Sequence, residues 1–96
     1  MAEPTVRVHS WVRGSADDSR TGLLAYVKVL YGDMLLDGLT LRRSSDGKLL
    51  LVLPRRTDRQ GRGHAYVQPT SERARKRIER EVFAALAEPR DSEEGR

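Results

Sequence analysis

The chain has no cysteine, and no apolar run approaches the roughly 20 residues that a membrane-spanning helix needs. The first absence excludes disulfides and thiolate metal sites and suits a reducing compartment. The second argues against a membrane-spanning helix, and no membrane partner is expected. The opening residues MAEPTVRVH lack the basic-then-apolar pattern of a secretory leader. The expectation is a soluble cytoplasmic protein. The two histidines, His9 and His64, lie far apart with no short ligand spacing, so no metal is expected. No phosphate-loop glycine pattern occurs. Ser44 and Ser45 lack a histidine in sequence context to activate them, and no cofactor or enzymatic activity is expected. There is no internal repeat.

What remains is a chain of 96 residues, 38% hydrophobic, enough for one domain with a thin core. Its formal charge of +4 is unevenly spread. Met1 to Leu41 carries four basic and five acidic residues, and Glu81 to Arg96 carries two and five. Arg42 to Arg80 carries twelve basic residues against four acidic ones. Such regional asymmetry points to an anionic partner better than net charge does.

Period-two alternation predicts strands. Thr5 to Val12 alternates Val6, Val8 and Val12 against Arg7, His9 and Trp11, with Trp11 as a packing anchor or interface residue. GSADDSRTG, Gly14 to Gly22, reads as a polar loop. Leu23 to Tyr31 places Ala25, Val27 and Val29 on one face, and Leu24, Tyr26, Lys28 and Leu30 on the other. Gly32-Asp33 fits a two-residue hairpin turn. The returning strand, Met34 to Arg42, holds Asp37-Gly38 at its middle, which reads as a bulge rather than a catalytic aspartate. SSDG, Ser44 to Gly47, is a further turn. Lys48 to Leu53, KLLLVL, is apolar on both faces and reads as a central strand that Pro54 ends. His64 to Gln68 reads as a short last strand.

Beyond Pro69 the period changes. Thr70 or Ser71 can cap a helix, and Glu72 suits its first turn. Ala74, Ile78, Val82, Ala85 and Leu86 form an apolar stripe, with Arg73, Lys76, Arg77 and Arg80 on nearly the opposite face. Glu88-Pro89 should end the helix, and residues 89–96 read as a disordered acidic tail after a single domain over 1–88. The fold class is α+β, with four to five antiparallel strands followed by one C-terminal helix. Strands about 4.8 Å apart make a sheet roughly 20 Å wide. A helix about 10 Å across covers only about half of it. A second copy is the simplest cover for the rest, so a strand-mediated homodimer is expected.

One stretch stands out. After GKLLLVLP, Gly47 to Pro54, come Arg55-Arg56, then Arg59, Gly61, Arg62, Gly63 and Pro69. With Ala25 in LAYVKV and the DGLTL strand, this order resembles the stage V sporulation protein G family, bacterial regulators of septation and sporulation. The resemblance runs from Leu24 to about Ala87. Ala65 and Gln68 stand where that family usually has aspartate and histidine, and the Arg43 to Gly47 segment is about a residue longer. The resemblance implies a curled antiparallel sheet with a C-terminal helix, a dimer, and sequence-preferring nucleic-acid binding linked to septation, sporulation or gene control.

The residues themselves support a polyanion site. Arginine grips phosphate bidentately and also reads guanine edges, which lysine does less well. Gly61 and Gly63 keep bulk away from an approaching backbone. The candidate binding residues are Arg55, Arg56, Arg59, Arg62 and His64 in the loop, with Arg73, Lys76, Arg77 and Arg80 on the helix. Loop and helix are expected to merge into one surface. Only Tyr66 lies close as an aromatic, so duplex DNA is preferred to a stacked single strand, with RNA possible. The rival expectation is a protein-interaction module that docks an acidic protein partner.

Overall fold

The computed structural model describes residues 3–87. The expected helix end at Glu88-Pro89 and the acidic tail lie outside them. Four strands form an antiparallel meander: β1 Val6–Arg13, β2 Leu23–Tyr31, β3 Met34–Arg43 and β4 Leu49–Val52, in the order β1-β2-β3-β4. A separate hairpin follows, β5 Arg55–Thr57 with β6 Gly63–Ala65. A helix, α2 Glu72–Ala87, ends the described chain. A short helix, α1 Ala16–Arg20, joins β1 to β2.

The β2 alternation holds, with Ala25, Val27 and Val29 buried. Tyr31 pairs with Met34 across Gly32-Asp33, the expected two-residue turn. Gly32 has φ +59°, a conformation that glycine adopts without steric cost. Val27 pairs with Leu39 and Val29 with Leu36, so Asp37 and Gly38 together face Lys28 as the expected bulge. Gly38 takes φ +90° there, and Lys28 reaches Asp37 at 3.8 Å. The Gly47 N–H donates to the Ser44 carbonyl at 2.9 Å and closes the SSDG turn.

Helix α2 is capped by Ser71, whose hydroxyl accepts from the Ala74 N–H at 3.1 Å. Its stripe sinks Ile78 and Val82 into one cluster with Val27, Val29, Leu39, Leu41 and Leu51, with Leu86 packed alongside. Each fully buried aliphatic side chain of this kind contributes about 1.5–3 kcal/mol.

Four features depart from the sequence reading. In β1 the pairing register shifts between Val8 and Ser10, so Trp11 joins Val6 in the core while Val12, expected on the face of Val6 and Val8, is exposed. The Gly14–Gly22 loop contains α1, held by a reciprocal cap in which Ser15 and Asp18 bond each other's backbone N–H at 3.0 Å. The KLLLVL strand is the described sheet's edge, not its centre, since β4 pairs only with β3. Accordingly Leu49 and Leu50 are 44% and 48% exposed, whereas a central strand would bury them. The last short strand does not extend the sheet, because Gly63–Ala65 folds back on the arginine segment itself.

The helix covers one face of the sheet. The other carries a cross-strand row, Val12–Tyr26–Thr40–Val52, flanked by Leu50 on one side and by Leu30 and Leu35 on the other. No helix among the described residues is long and apolar enough to cross a membrane.

Replacing Leu39 with alanine should lower unfolding free energy by about 2–5 kcal/mol, because it opens a cavity under α2. Leu50→Ala, on the uncovered face, should cost less than about 1 kcal/mol in the isolated chain. Urea denaturation of both variants measures this, and equal losses would contradict the assignment of faces.

Candidate nucleic-acid interface

The arginine segment is a hairpin organised by one carboxylate. Asp58 Oδ1 accepts from the Gln60 and Arg62 backbone N–H groups, each at 2.9 Å. Its Oδ2 accepts from His64 Nε2 at 2.8 Å and Arg62 Nε at 3.3 Å. The Asp58 N–H donates to the Arg62 carbonyl at 2.9 Å, and the Gly61 N–H to the Asp58 carbonyl at 3.0 Å. Gly61 sits at φ +83°, so the turn demands a residue without a Cβ. The Asp58 side chain is only 18% exposed, sunk beneath its own donors. These donors hold its carboxyl below the ordinary range, His64 first, then the Arg62 and Gln60 backbone and the Arg62 guanidinium.

The ladder assigns sides. Arg56 pairs with His64, and Arg55 with Ala65. Successive residues alternate, so Arg56, His64 and Tyr66 share one side while Arg55, Gly63 and Ala65 share the other. Gly63 makes room for Arg55, since a Cβ there would come within 2.9 Å of the guanidinium carbon. Tyr66 is 69% exposed beside Arg56 and His64, with its N–H on the Pro54 carbonyl at 3.1 Å.

The candidate cations therefore differ in state. Arg62 and His64 are turned onto Asp58 and build the hairpin. Arg55, Arg56 and Arg59 have no carboxylate partner among the described residues. The helix cations Arg73, Lys76, Arg77 and Arg80 line a cleft of about 310 Å³ together with Glu3. Arg55 lines another, of about 300 Å³, with Leu50 to Leu53, Val67, Pro69 and Arg75. Five of the nine candidates thus line two different clefts, and Arg56, Arg59, Arg62 and His64 line neither, so the expected single surface of loop and helix is divided. The hairpin follows β4 at one sheet edge, whereas α2 packs chiefly against β1 at the other.

Arg75 is the cation that sequence reasoning missed. It lies on the flank of α2 away from Arg73 and Arg77, half-buried, and reaches Glu79 at 3.5 Å. About 200° around the helix from both Arg73 and Arg77, it lies outside the basic stripe and gave no signal, because only the hairpin's placement gives it a neighbour in Arg55. Comparison with family models, with curated proteins and with solved structures finds no match to this chain.

Asp58→Ala should cost the Gln60 and Arg62 amides at least about tenfold in hydrogen-exchange protection, while the four-stranded sheet keeps its own. The parent should do the same in acid. A carboxylate with a depressed folded pKa stabilises fully above its unfolded value of about 3.9 and ceases to do so as pH falls through the lower folded value. Amide exchange followed from pH 6 to pH 2 measures the effect, which should appear at Gln60 and Arg62 below about pH 3.9.

Proposed function

We propose that this chain is a dimeric nucleic-acid-binding regulatory protein that grips DNA, duplex in preference to single strands, through the β5–β6 hairpin. The observation that carries the reading is the hairpin itself. One partly buried carboxylate orders a two-stranded ribbon on which Arg55, Arg56 and Arg59 lack a carboxylate partner among the described residues. A ribbon of this width fits the major groove, and guanidiniums on its sides meet phosphates or guanine edges. Ordering the ribbon beforehand spares part of the entropy that a flexible arginine loop would lose on binding.

The dimer belongs to the same reading. The uncovered sheet face and the open edge of β4 are the surfaces a second copy would use. A two-fold pair of hairpins would suit two half-sites or successive turns of a duplex. The cytoplasmic location rests on the absence of cysteine, and a role in septation, sporulation or gene control on the resemblance to the stage V sporulation protein G family. Binding rather than catalysis is the activity proposed.

Mobility-shift titrations with duplex DNA and RNA from 50 to 200 mM salt test the reading. The parent should lose affinity steeply with salt. Arg55→Ala with Arg56→Ala should weaken binding at least about tenfold and flatten the salt slope by about 1–2, as two phosphate contacts vanish. Sedimentation should show the double variant with the parent's oligomeric state. A parent that binds neither nucleic acid at 50 mM salt, yet captures an acidic protein, would replace this reading with that of an interaction module.

A further inference from the structure

The N-terminal segment ahead of β1 lies against the basic flank of α2. Glu3 Oε2 accepts from Arg73 Nε at 2.6 Å, and Oε1 forms an ion pair with Arg77 Nε at 3.4 Å. The Pro4 carbonyl accepts from Arg77 as well. The Thr5 carbonyl accepts from the Gly32 N–H at 2.7 Å, fixing the segment between the β2–β3 turn and the helix. Lys76 and Arg80 line the same cleft and have no carboxylate partner among the described residues. The cleft therefore holds four cations around a single carboxylate.

That arrangement is how guanidiniums hold an oxyanion. A carboxylate shared by two arginines occupies the place a phosphate would take, because both present oxygens to the same planar donors. One negative charge leaves the cleft strongly cationic. The Arg73–Glu3 pair is solvent-exposed, whereas the Arg77 side chain is only 19% exposed, so a polyanion that reaches Arg73 and also engages Lys76 and Arg80 competes well for the site. The short Arg73 contact keeps the Glu3 carboxyl ionised well into acid, and it acts as an anion throughout the physiological range.

We propose that the cleft of Arg73, Lys76, Arg77 and Arg80 is a second phosphodiester-binding subsite, separate from the hairpin, and that Glu3 is its built-in competitor. Nucleic acid displaces the Glu3 side chain and takes over Arg73 and Arg77. The inference rests on the nucleic-acid reading above and adds to it a regulated subsite that the hairpin does not contain. Glu3 sets the threshold at which this flank engages a backbone already held at the hairpin.

Fluorescence anisotropy with a labelled duplex, from 50 to 200 mM salt, tests it on the full chain. Glu3→Gln keeps the side chain's size and removes its charge. It should bind about 3- to 10-fold tighter at 0.1 M salt, with a salt slope steeper by about 1–2, because Arg73 and Arg77 no longer carry an internal anion. Lys76→Ala with Arg80→Ala, neither of which touches Glu3, should weaken binding and flatten the slope. Duplex binding by the parent with unchanged affinity and slope in both variants would overturn this subsite and leave the hairpin reading standing. A lowered melting temperature in Glu3→Gln without tighter binding would overturn it too, by reducing Glu3 to a tie between β1 and the helix. A parent that binds no duplex would overturn the nucleic-acid reading and this inference with it.

Discussion

Ile78 and Val82 seat helix α2 on the sheet face that Val27, Val29 and Leu39 build, and the cations of the helix take their positions from that seat. The stripe fixes the rotation of the helix about its axis. Arg73 and Arg77 then fall toward the segment ahead of β1, where Glu3 meets them, and Arg75 falls toward the hairpin cleft. A one-residue slip of the helix would rotate these side chains by about 100° and dissolve both clefts. Core packing, which is chemically blind to charge, thus decides which guanidiniums become neighbours.

Within that frame a few carboxylates sort the arginines. Asp58 takes Arg62 and His64, Glu3 takes Arg73 and Arg77, and Glu79 takes Arg75. The exposed Arg73–Glu3 pair adds little to stability. The effect of these carboxylates is positional. Asp58 spends its acceptors inside the hairpin and so orders it, which leaves Arg55, Arg56 and Arg59 turned outward on an ordered ribbon. Glu3 does the reverse, since it sits among cations that belong to other elements and lowers the charge they offer. One acid shapes a basic surface, and the other restrains one.

The sheet was largely readable because its signals are local. Ala25, Val27 and Val29 recur at period two, Gly32-Asp33 and Ser44 to Gly47 carry their own turn chemistry, and Asp37-Gly38 interrupts an otherwise regular strand. The failures also have local causes. Ser15 and Asp18 form a capping signature, but no apolar stripe follows it, so α1 looked like loop. KLLLVL is apolar at every position, which reads as burial on both sides, yet burial depends on neighbours that the sequence does not place. The hairpin was hidden because Asp58, its organising residue, appeared merely as the lone acid among arginines. Glu3 with Arg73 lies beyond any pattern, since 70 residues separate the two.

The uncovered face sets limits on the proposed dimer. From the row of Leu50 to that of Leu30 and Leu35 the face spans about 20 Å along the strands and about 15 Å across them, or some 300 Å². Lys28, Thr40 and Arg42 stand within it, so its apolar part is smaller still and is tolerated on monomers, whose largest patch is about 300–600 Å². A standard interface buries about 800 Å² on each partner. The face alone therefore falls short, and a stable pair needs more surface than it supplies. The edge of β4 adjoins it, with Leu50 projecting from that edge and backbone groups open on its outer side. Pairing through the edge would extend the sheet and add main-chain hydrogen bonds to the apolar contact. It would also bring the hairpin that follows β4 next to the two-fold axis, so that in such a dimer the arginine ribbons of both copies would converge, whereas the Glu3 clefts would remain at the outer flanks.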